Sequence, residues 1–122
     1  MAYDSNNIFA KILRGEIPCK KVYEDDFALA FHDINPQAPT HILVVPKGPY
    51  VNYDDFVTSA ETEELAGFAR AIGKTIAEAG VAQGGYRLIS NSGVDAHQEV
   101  PHYHIHILGG RDLGAMLEKA EA

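Results

Sequence analysis

A histidine stands at every second position within residues 101–108, and this alternation constrains the fold more than any other feature of the sequence. Because side chains alternate between the two faces of a β-strand, this period predicts a strand with His102, His104 and His106 on one face. The other face would carry Tyr103, Ile105 and Ile107. One face of the strand can therefore pack into a core, and the other is a row of imidazoles.

The remaining periodicities predict two helices and four more strands. Apolar residues at helical spacing predict a short helix at residues 8–13, with capping residue types at 5–7, and a long helix at residues 60–79, capped by Thr58 or Ser59. Strands are predicted at residues 20–24, 27–33, 41–46, 86–91 and 102–108, with residues 47–55 and 92–101 irregular. Mostly hairpin connections then predict an α+β fold with a five-stranded antiparallel sheet and two helices.

Length and composition exclude several classes of protein. A chain of 122 residues has the size of one domain. With 10 basic and 17 acidic residues the formal charge is −7, which argues against binding nucleic acid or an anionic membrane surface. The single cysteine, Cys19, excludes an internal disulfide and a multi-cysteine zinc site. Without an apolar run of transmembrane length or a signal-peptide pattern, the expected location is the cytoplasm.

A row of three imidazoles could simply be a face exposed to solvent. It could also perform one of two kinds of chemistry. Neutral imidazoles bind zinc, copper and nickel, and two of them with a carboxylate such as Asp33 or Glu99 could complete a metal site. Alternatively, a neutral imidazole can attack phosphorus and divide one difficult displacement into two easier ones. Crowding of like charges disfavours full protonation of the row, which would keep the central ring nucleophilic near neutral pH.

The histidine segment resembles the signature of the histidine triad (HIT) family, in which three histidines alternate with apolar residues. The apolar positions of that signature are occupied by Tyr103, Ile105, Ile107 and Leu108. Further segments resemble the Hint branch of the family, namely residues 8–12, 15–18, 31–34, 36–41 and 109–111. The resemblance spans nearly the whole chain, from Asn7 to Arg111, and implies that residues 1–122 form one HIT domain.

The resemblance implies a hydrolase or transferase that acts at the α-phosphate of a nucleotide. Hint-like proteins cleave the P–N bond of purine nucleoside phosphoramidates, such as AMP linked to an amine or to lysine, through a nucleotidyl-histidine intermediate. The family also implies a homodimer and no metal or other cofactor. Two alternatives stay open at this point: a dinucleoside polyphosphate hydrolase, and a nucleotide-binding scaffold protein with weak turnover.

Roles for individual residues follow from their positions in the family pattern. His104 matches the nucleophile, and His106 matches a residue that contacts the phosphate. His102 and His41 match a supporting pair, and a hydrogen bond between them is expected if their strands are neighbours. Asp33 matches the carboxylate that holds ribose hydroxyls, because a carboxylate can accept hydrogen bonds from two adjacent hydroxyl groups.

Two further sets of residues match the nucleotide-binding positions of the family. An apolar slot for the purine would be formed by Ile8, Phe9, Phe31, Ile34 and Leu43. Contacts to the phosphate and the leaving group would come from Asn91, Gln98 and Glu99. The chain departs from its relatives at His97, where glycine is usual, and at Glu99, where animal relatives have serine. Glu99 could repel phosphate, point outward, or bind a leaving ammonium group.

Overall fold

The computed structural model of the protein describes residues 2–118. Within them, one antiparallel sheet contains β1 (Lys21–Glu24), β2 (Ala28–His32), β3 (Thr40–Pro46), β4 (Tyr86–Ile89) and β5 (Ile105–Gly109). The strands lie in the order β1-β2-β3-β5-β4. The helices are α1 (Ile8–Leu13), α2 (Tyr53–Ser59) and α3 (Thr62–Ala79), and a 3₁₀ turn spans Val94–Ala96. The predicted α+β fold with a five-stranded antiparallel sheet is confirmed.

The structure contains a helix that the sequence prediction lacks. α2 begins inside residues 47–55, which were expected to be irregular, and continues to Ser59. The Asn52 side chain caps α2 by accepting a hydrogen bond from a backbone amide of the first turn at 2.9 Å. Phe56 of α2 is buried in the core, which stabilises this short helix. α3 begins after Glu61, its N-cap, so the expected capping residues Thr58 and Ser59 lie in α2 instead.

The histidine segment joins the sheet later than predicted. β5 begins at Ile105, and residues 102–104 approach it outside the ladder of paired strands. Pro101 lacks an amide N–H, and the Tyr103 amide donates to the carbonyl oxygen of Tyr50 at 2.7 Å rather than to a neighbouring strand. The side chains still alternate through this segment, so the three histidines share one face of the sheet.

The larger core lies between the sheet and α3. The strand residues buried on this side are Ala28, Ala30, Ile42, Val44, Ile105 and Ile107. α3 approaches the sheet closely at Gly67, where a Cβ atom would lie 2.3 Å from the ring of Phe27. This face contains the apolar half of the histidine segment, and α3 covers it. Within residues 2–118, neither α3 nor any other helix is long and apolar enough to span a membrane.

A smaller core lies on the opposite face of the sheet, beneath α1. Phe9 of α1 packs there against β2 and β3, and the buried residues of this cluster are Phe9, Leu29, Phe31, Leu43 and Val45. Asn7 caps α1 by accepting the Ala10 amide at 2.9 Å, and Gly15 ends the following turn with a φ of 78°. α1 therefore lies over the face of the sheet that carries the histidines.

Candidate active site

Four histidines, one from β3 and three from β5 and the segment that leads into it, gather on the face that α1 covers. The register between β3 and β5 makes His41 and His106 diagonal neighbours, with ring centroids 5.2 Å apart. The rings of His106 and His104 are 5.1 Å apart. Phe9 lies edge-on to both His104 and His102, at centroid distances of 4.9 and 6.4 Å. The sheet and α1 thus hold the predicted histidines in one continuous cluster.

The expected hydrogen bond between His41 and His102 does not form. Because β3 and β5 are antiparallel, the end of β3 that carries His41 meets the end of β5 near His106. His102 lies at the opposite end, where its Nε2–H donates to the carbonyl oxygen of Pro46 at 2.9 Å. The partner of His41 is therefore His106, whose Nδ1 lies 2.9 Å from Nε2 of His41.

A backbone carbonyl fixes which nitrogen of His104 carries the proton. Nδ1 of His104 lies 2.7 Å from the carbonyl oxygen of His102. A carbonyl oxygen can only accept, so Nδ1 of His104 must donate. In the neutral ring the lone pair then lies on Nε2. Neutral His104 therefore presents an unprotonated nitrogen at one defined atom, Nε2.

A second chain of hydrogen bonds fixes the proton of His106. The Gln37 amide donates to Nδ1 of His41 at 3.0 Å, so neutral His41 carries its proton on Nε2 and donates it to Nδ1 of His106. Neutral His106 then carries its own proton on Nε2. Arg111 stabilises Gln37, the first residue of this series of hydrogen bonds, by donating from Nη2 to its carbonyl oxygen at 3.0 Å. An N–H donor of His106 therefore accompanies the lone pair of the neighbouring His104, a combination suited to attack on a phosphoryl group.

Burial favours the neutral form of all four rings. It lowers the pKa of His102 to about 4, and the pKa of His106 to about 4 with a contribution from the neighbouring histidines. The pKa values of His41 and His104 are also lowered, mainly by burial, while the charge of Asp33 acts in the opposite direction. The unprotonated form that a nucleophile needs is thus the resting form at neutral pH.

Asp33 extends the cluster just beyond the end of β2. Its Oδ2 lies 3.4 Å from Nε2 of His41, and its Oδ1 accepts a hydrogen bond from the Asn35 amide at 2.8 Å. The side chain is 19% exposed, so its remaining lone pairs can accept hydrogen bonds from a ligand. Asp33 is therefore placed to bind hydroxyl groups next to the histidines.

Asp33, His41 and His106 are also close enough to hold a metal ion, since one ligand atom from each lies within 4.8 Å of the others. The hydrogen bonds oppose this use. A metal on Nε2 of His41 would move its proton to Nδ1, which faces the N–H of Gln37. Glu99, the other carboxylate considered, is exposed on a loop and lies outside this group. The donor set thus fits a chain of hydrogen bonds better than a metal centre.

The five residues expected to form a purine slot divide into two sets. Phe9, Phe31 and Leu43 are buried in the smaller core, on the same side of the sheet as the histidines, and are closed to solvent. Ile8 and Ile34 are 43% and 88% exposed. They are the sequence neighbours of Phe9 and Asp33. Of the five residues, Ile8 and Ile34 therefore offer the most apolar surface to a ligand.

The loop after β4 forms an open cleft of about 530 Å³ with Val51 and Asn52. The side-chain amide of Gln98 fastens this loop, because Nε2 donates to the carbonyl oxygens of Val51 and Val100 at 2.8 and 3.0 Å. Oε1 of Gln98 accepts the Gly93 amide at 3.1 Å. Gln98, expected to contact the ligand, thus uses its amide group to shape the loop.

The other polar residues of this region remain available to a ligand. His97 and Glu99 are exposed and border the cleft. His97 has a φ of 57°, in the left-handed region that favours glycine. Asn91 is half-buried two residues beyond Ile89, which pairs with His106.

Sequence reasoning missed two parts of the site. The Gln37 amide sets the protonation of His41, and no side-chain pattern reveals a backbone donor. Tyr3, in an N-terminal segment without a periodic signal, donates from its hydroxyl to Nδ1 of His102 at 2.6 Å. Tyr3 and His102 are separated by 99 positions in the chain, so only the tertiary structure brings them together.

Comparisons with known proteins agree with the geometry. A family model described as HIT domain matches residues 14–113. A HIT-like protein of Azospirillum brasilense is 64% identical, covering 96% of this chain and 96% of that protein. The purine nucleoside phosphoramidase of Escherichia coli strain K12 is 50% identical, covering 90% of this chain and 92% of that enzyme. A histidine triad protein from Clostridium difficile superposes with a TM-score of 0.83 at 46% identity, covering 93% of this chain and 98% of that one. A HIT family hydrolase from Legionella pneumophila has a TM-score of 0.80 at 44% identity, covering 88% and 95% of the two chains.

Proposed function

The chain belongs to the HIT family, and we propose that it hydrolyses the P–N bond of purine nucleoside phosphoramidates through a nucleotidyl-histidine intermediate. The observation that carries this proposal is the pairing of two rings with opposite roles. His104 has its lone pair on Nε2, and His106 has its proton on Nε2. The similarity to an enzyme named purine nucleoside phosphoramidase supports the choice of bond and base.

In the first step, Nε2 of His104 attacks the α-phosphorus and forms an N–P bond. The P–N bond to the leaving group breaks, its electron pair stays on the amine nitrogen, and that nitrogen takes a proton from solvent. The His104 ring gains positive charge as its new bond forms. The carbonyl oxygen of His102 stabilises this charge through the hydrogen bond from Nδ1 of His104. The Nε2–H of His106 donates to a phosphoryl oxygen.

In the second step, water attacks the same phosphorus and the bond to His104 breaks. The oxygen of the water becomes part of the nucleoside monophosphate, its released proton goes to solvent, and His104 regains its lone pair. Apart from the attacking water and protons exchanged with solvent, neither step needs a further reactant. Covalent catalysis of this kind replaces one difficult displacement by two easier ones.

The remaining residues support a nucleotide with an amine leaving group. Asp33 accepts hydrogen bonds from the ribose hydroxyls, and Ile8 and Ile34 contact the purine with their exposed apolar surface. The leaving amine extends into the cleft beside the loop after β4. Glu99 at that cleft provides a negative charge for a cationic leaving group such as lysine.

The test of the proposed activity is hydrolysis of adenosine 5′-phosphoramidate in the presence of a chelator. We expect release of AMP and ammonia, because the donor set described here needs no metal. Diadenosine polyphosphate, assayed in parallel, should be turned over at least about tenfold less efficiently in kcat/KM. Preferential cleavage of the polyphosphate would assign the other branch of the family. Tight AMP binding without turnover of either compound would assign a binding role instead.

We further propose that the chain forms the homodimer that the family resemblance implies, and that the two copies join through β4. β4 is an edge strand, and its Tyr86 and Leu88 are 45% and 44% exposed, so it offers unpaired backbone and apolar surface together. Sedimentation equilibrium should give twice the mass of one chain. Leu88→Asp should shift this mass toward the monomer, whereas Val94→Asp, which changes an apolar residue that is 91% exposed elsewhere, should not. A monomeric parent protein would contradict the proposal.

A further inference from the structure

The N-terminal segment before α1 supplies a hydrogen bond to the buried His102. The hydroxyl of Tyr3 lies 2.6 Å from Nδ1 of His102, and the two rings meet edge-on at a centroid distance of 5.6 Å. Nε2 of His102 already donates to the Pro46 carbonyl, so Nδ1 holds the lone pair and the tyrosine hydroxyl donates to it. His102 is 0% exposed, so water does not reach this nitrogen in the folded protein. Tyr3 thus satisfies an acceptor that would otherwise be buried and unpaired.

The position of Tyr3 is secured by the turn that follows it. The Asn7 side chain donates from Nδ2 to the Asp4 carbonyl oxygen at 2.7 Å, and the same side chain caps α1. Arg14, at the other end of α1, donates from Nη1 to the Ser5 carbonyl oxygen at 2.8 Å. The segment is therefore fastened at two points to the helix that covers the histidines. Tyr3 therefore approaches His102 from a segment held by side chains at both ends of α1.

His102 acts on the nucleophile through its backbone. Its carbonyl oxygen accepts the Nδ1–H of His104, and this bond both selects the tautomer of His104 and aims its Nε2. The ring of His102 is held at both of its nitrogens, by Pro46 on β3 and by Tyr3. Residues 102–104 lie outside the ladder of strands, so these ring contacts add to the Tyr103–Tyr50 backbone hydrogen bond in holding their backbone.

We propose that Tyr3 is a positioning residue of the active site, which holds His102 so that its carbonyl oxygen stays in line with Nδ1 of His104. The catalytic apparatus then includes a residue of the segment that precedes α1. This inference rests on the proposed function, in which His104 is the nucleophile. Loss of the Tyr3 hydroxyl leaves a buried lone pair without a partner, and the His102 ring and the carbonyl that it carries shift to reach a new donor.

The experiment compares Tyr3→Phe, which removes only the hydroxyl, with Tyr53→Phe as the matched control. Tyr53 is 55% exposed and packs against Tyr103 on the other face of the sheet. We expect Tyr3→Phe to lower the rate of nucleotidyl transfer to His104 in single turnovers about tenfold, since small misplacements of reacting groups are costly. KM should stay within about twofold of the parent, because ground-state contacts to the nucleotide are untouched. Tyr53→Phe should leave both constants unchanged.

A second measurement uses the resting protein and does not depend on turnover. In ¹H–¹⁵N spectra of the imidazoles, Tyr3→Phe should move Nδ1 of His102 toward the shift of a nitrogen without a hydrogen bond. It should also shift the Nδ1–H proton of His104 and speed its exchange with solvent. A Tyr3→Phe protein with parental transfer rate and an unchanged His104 proton would overturn the inference. If the parent itself does not cleave the phosphoramidate, the proposed function fails, and the His104 proton still decides whether Tyr3 positions that ring.

Discussion

Replacing His104 by alanine is expected to lower kcat for adenosine phosphoramidate by at least about 10³-fold, because the variant has no atom that can form the covalent intermediate. The neighbouring donors remain, so AMP should still bind. His104→Gln should be equally inactive, because its amide fills much of the same space but has no nucleophilic lone pair on nitrogen. His32→Ala changes an exposed histidine at the end of β2 and should retain parental turnover.

The covalent step behind this loss can be observed directly. Rapid acid-free quenching of the parent protein, followed by mass spectrometry, should show one nucleotidyl group per site on the peptide that contains residues 102–106. The same treatment of His104→Ala should show none. Turnover near the parental rate in His104→Ala, or an adduct on another histidine, would refute the assignment of the nucleophile.

Acidification is expected to weaken the fold between about pH 6.5 and pH 4, and to lower the activity only below the ordinary histidine pKa. The pKa of His102 is about 4 in the folded protein and near 6.5 in an exposed chain, because burial penalises the charged ring. Between these values the unfolded state binds more protons, so the free energy of unfolding falls as the pH falls. By about pH 5 this effect amounts to roughly 2 kcal/mol for His102 alone. His106, also with a pKa of about 4, adds in the same direction, less strongly because it is only partly buried.

The histidine effect can be separated from that of the carboxylates. Salt bridges lower the pKa values of Glu16 and Glu24 below their ordinary value of 4.5, so these groups change protonation at more acidic pH. Urea unfolding at about pH 7, 6 and 5 therefore reports mainly on buried imidazoles. Since burial also lowers the pKa of His104, kcat/KM should hold at its neutral value past the ordinary histidine pKa and decline only at more acidic pH. Two results would contradict these expectations. One is a kcat/KM profile whose acid limb is centred on the ordinary histidine pKa, and the other is a free energy of unfolding that does not fall from pH 7 to pH 5.

The sequence determined the features that depend on neighbouring residues. Alternation within residues 102–107 placed three histidines on one face and the apolar residues on the other, because the two faces of extended chain repeat every second residue. The polar residues before Ile8 marked the start of α1, and Asn7 caps it. The motifs that resemble the HIT family predicted roles for individual residues. They also predicted that the strand of His41 is a neighbour of the histidine strand, and in the structure β3 pairs with β5.

Tertiary structure decided everything that depends on which distant atoms meet. The strands of His41 and the triad are neighbours as expected, yet the antiparallel register joins His41 to His106 and leaves His102 with Pro46. A register is set by packing and turn geometry over the whole sheet, so no local pattern encodes it. Burial likewise follows from the layers on both faces, and it lowers the pKa values of the histidines. The hydroxyl of Tyr3 reaches His102 across nearly the full length of the chain, a contact that exists only once α1 has docked on the sheet.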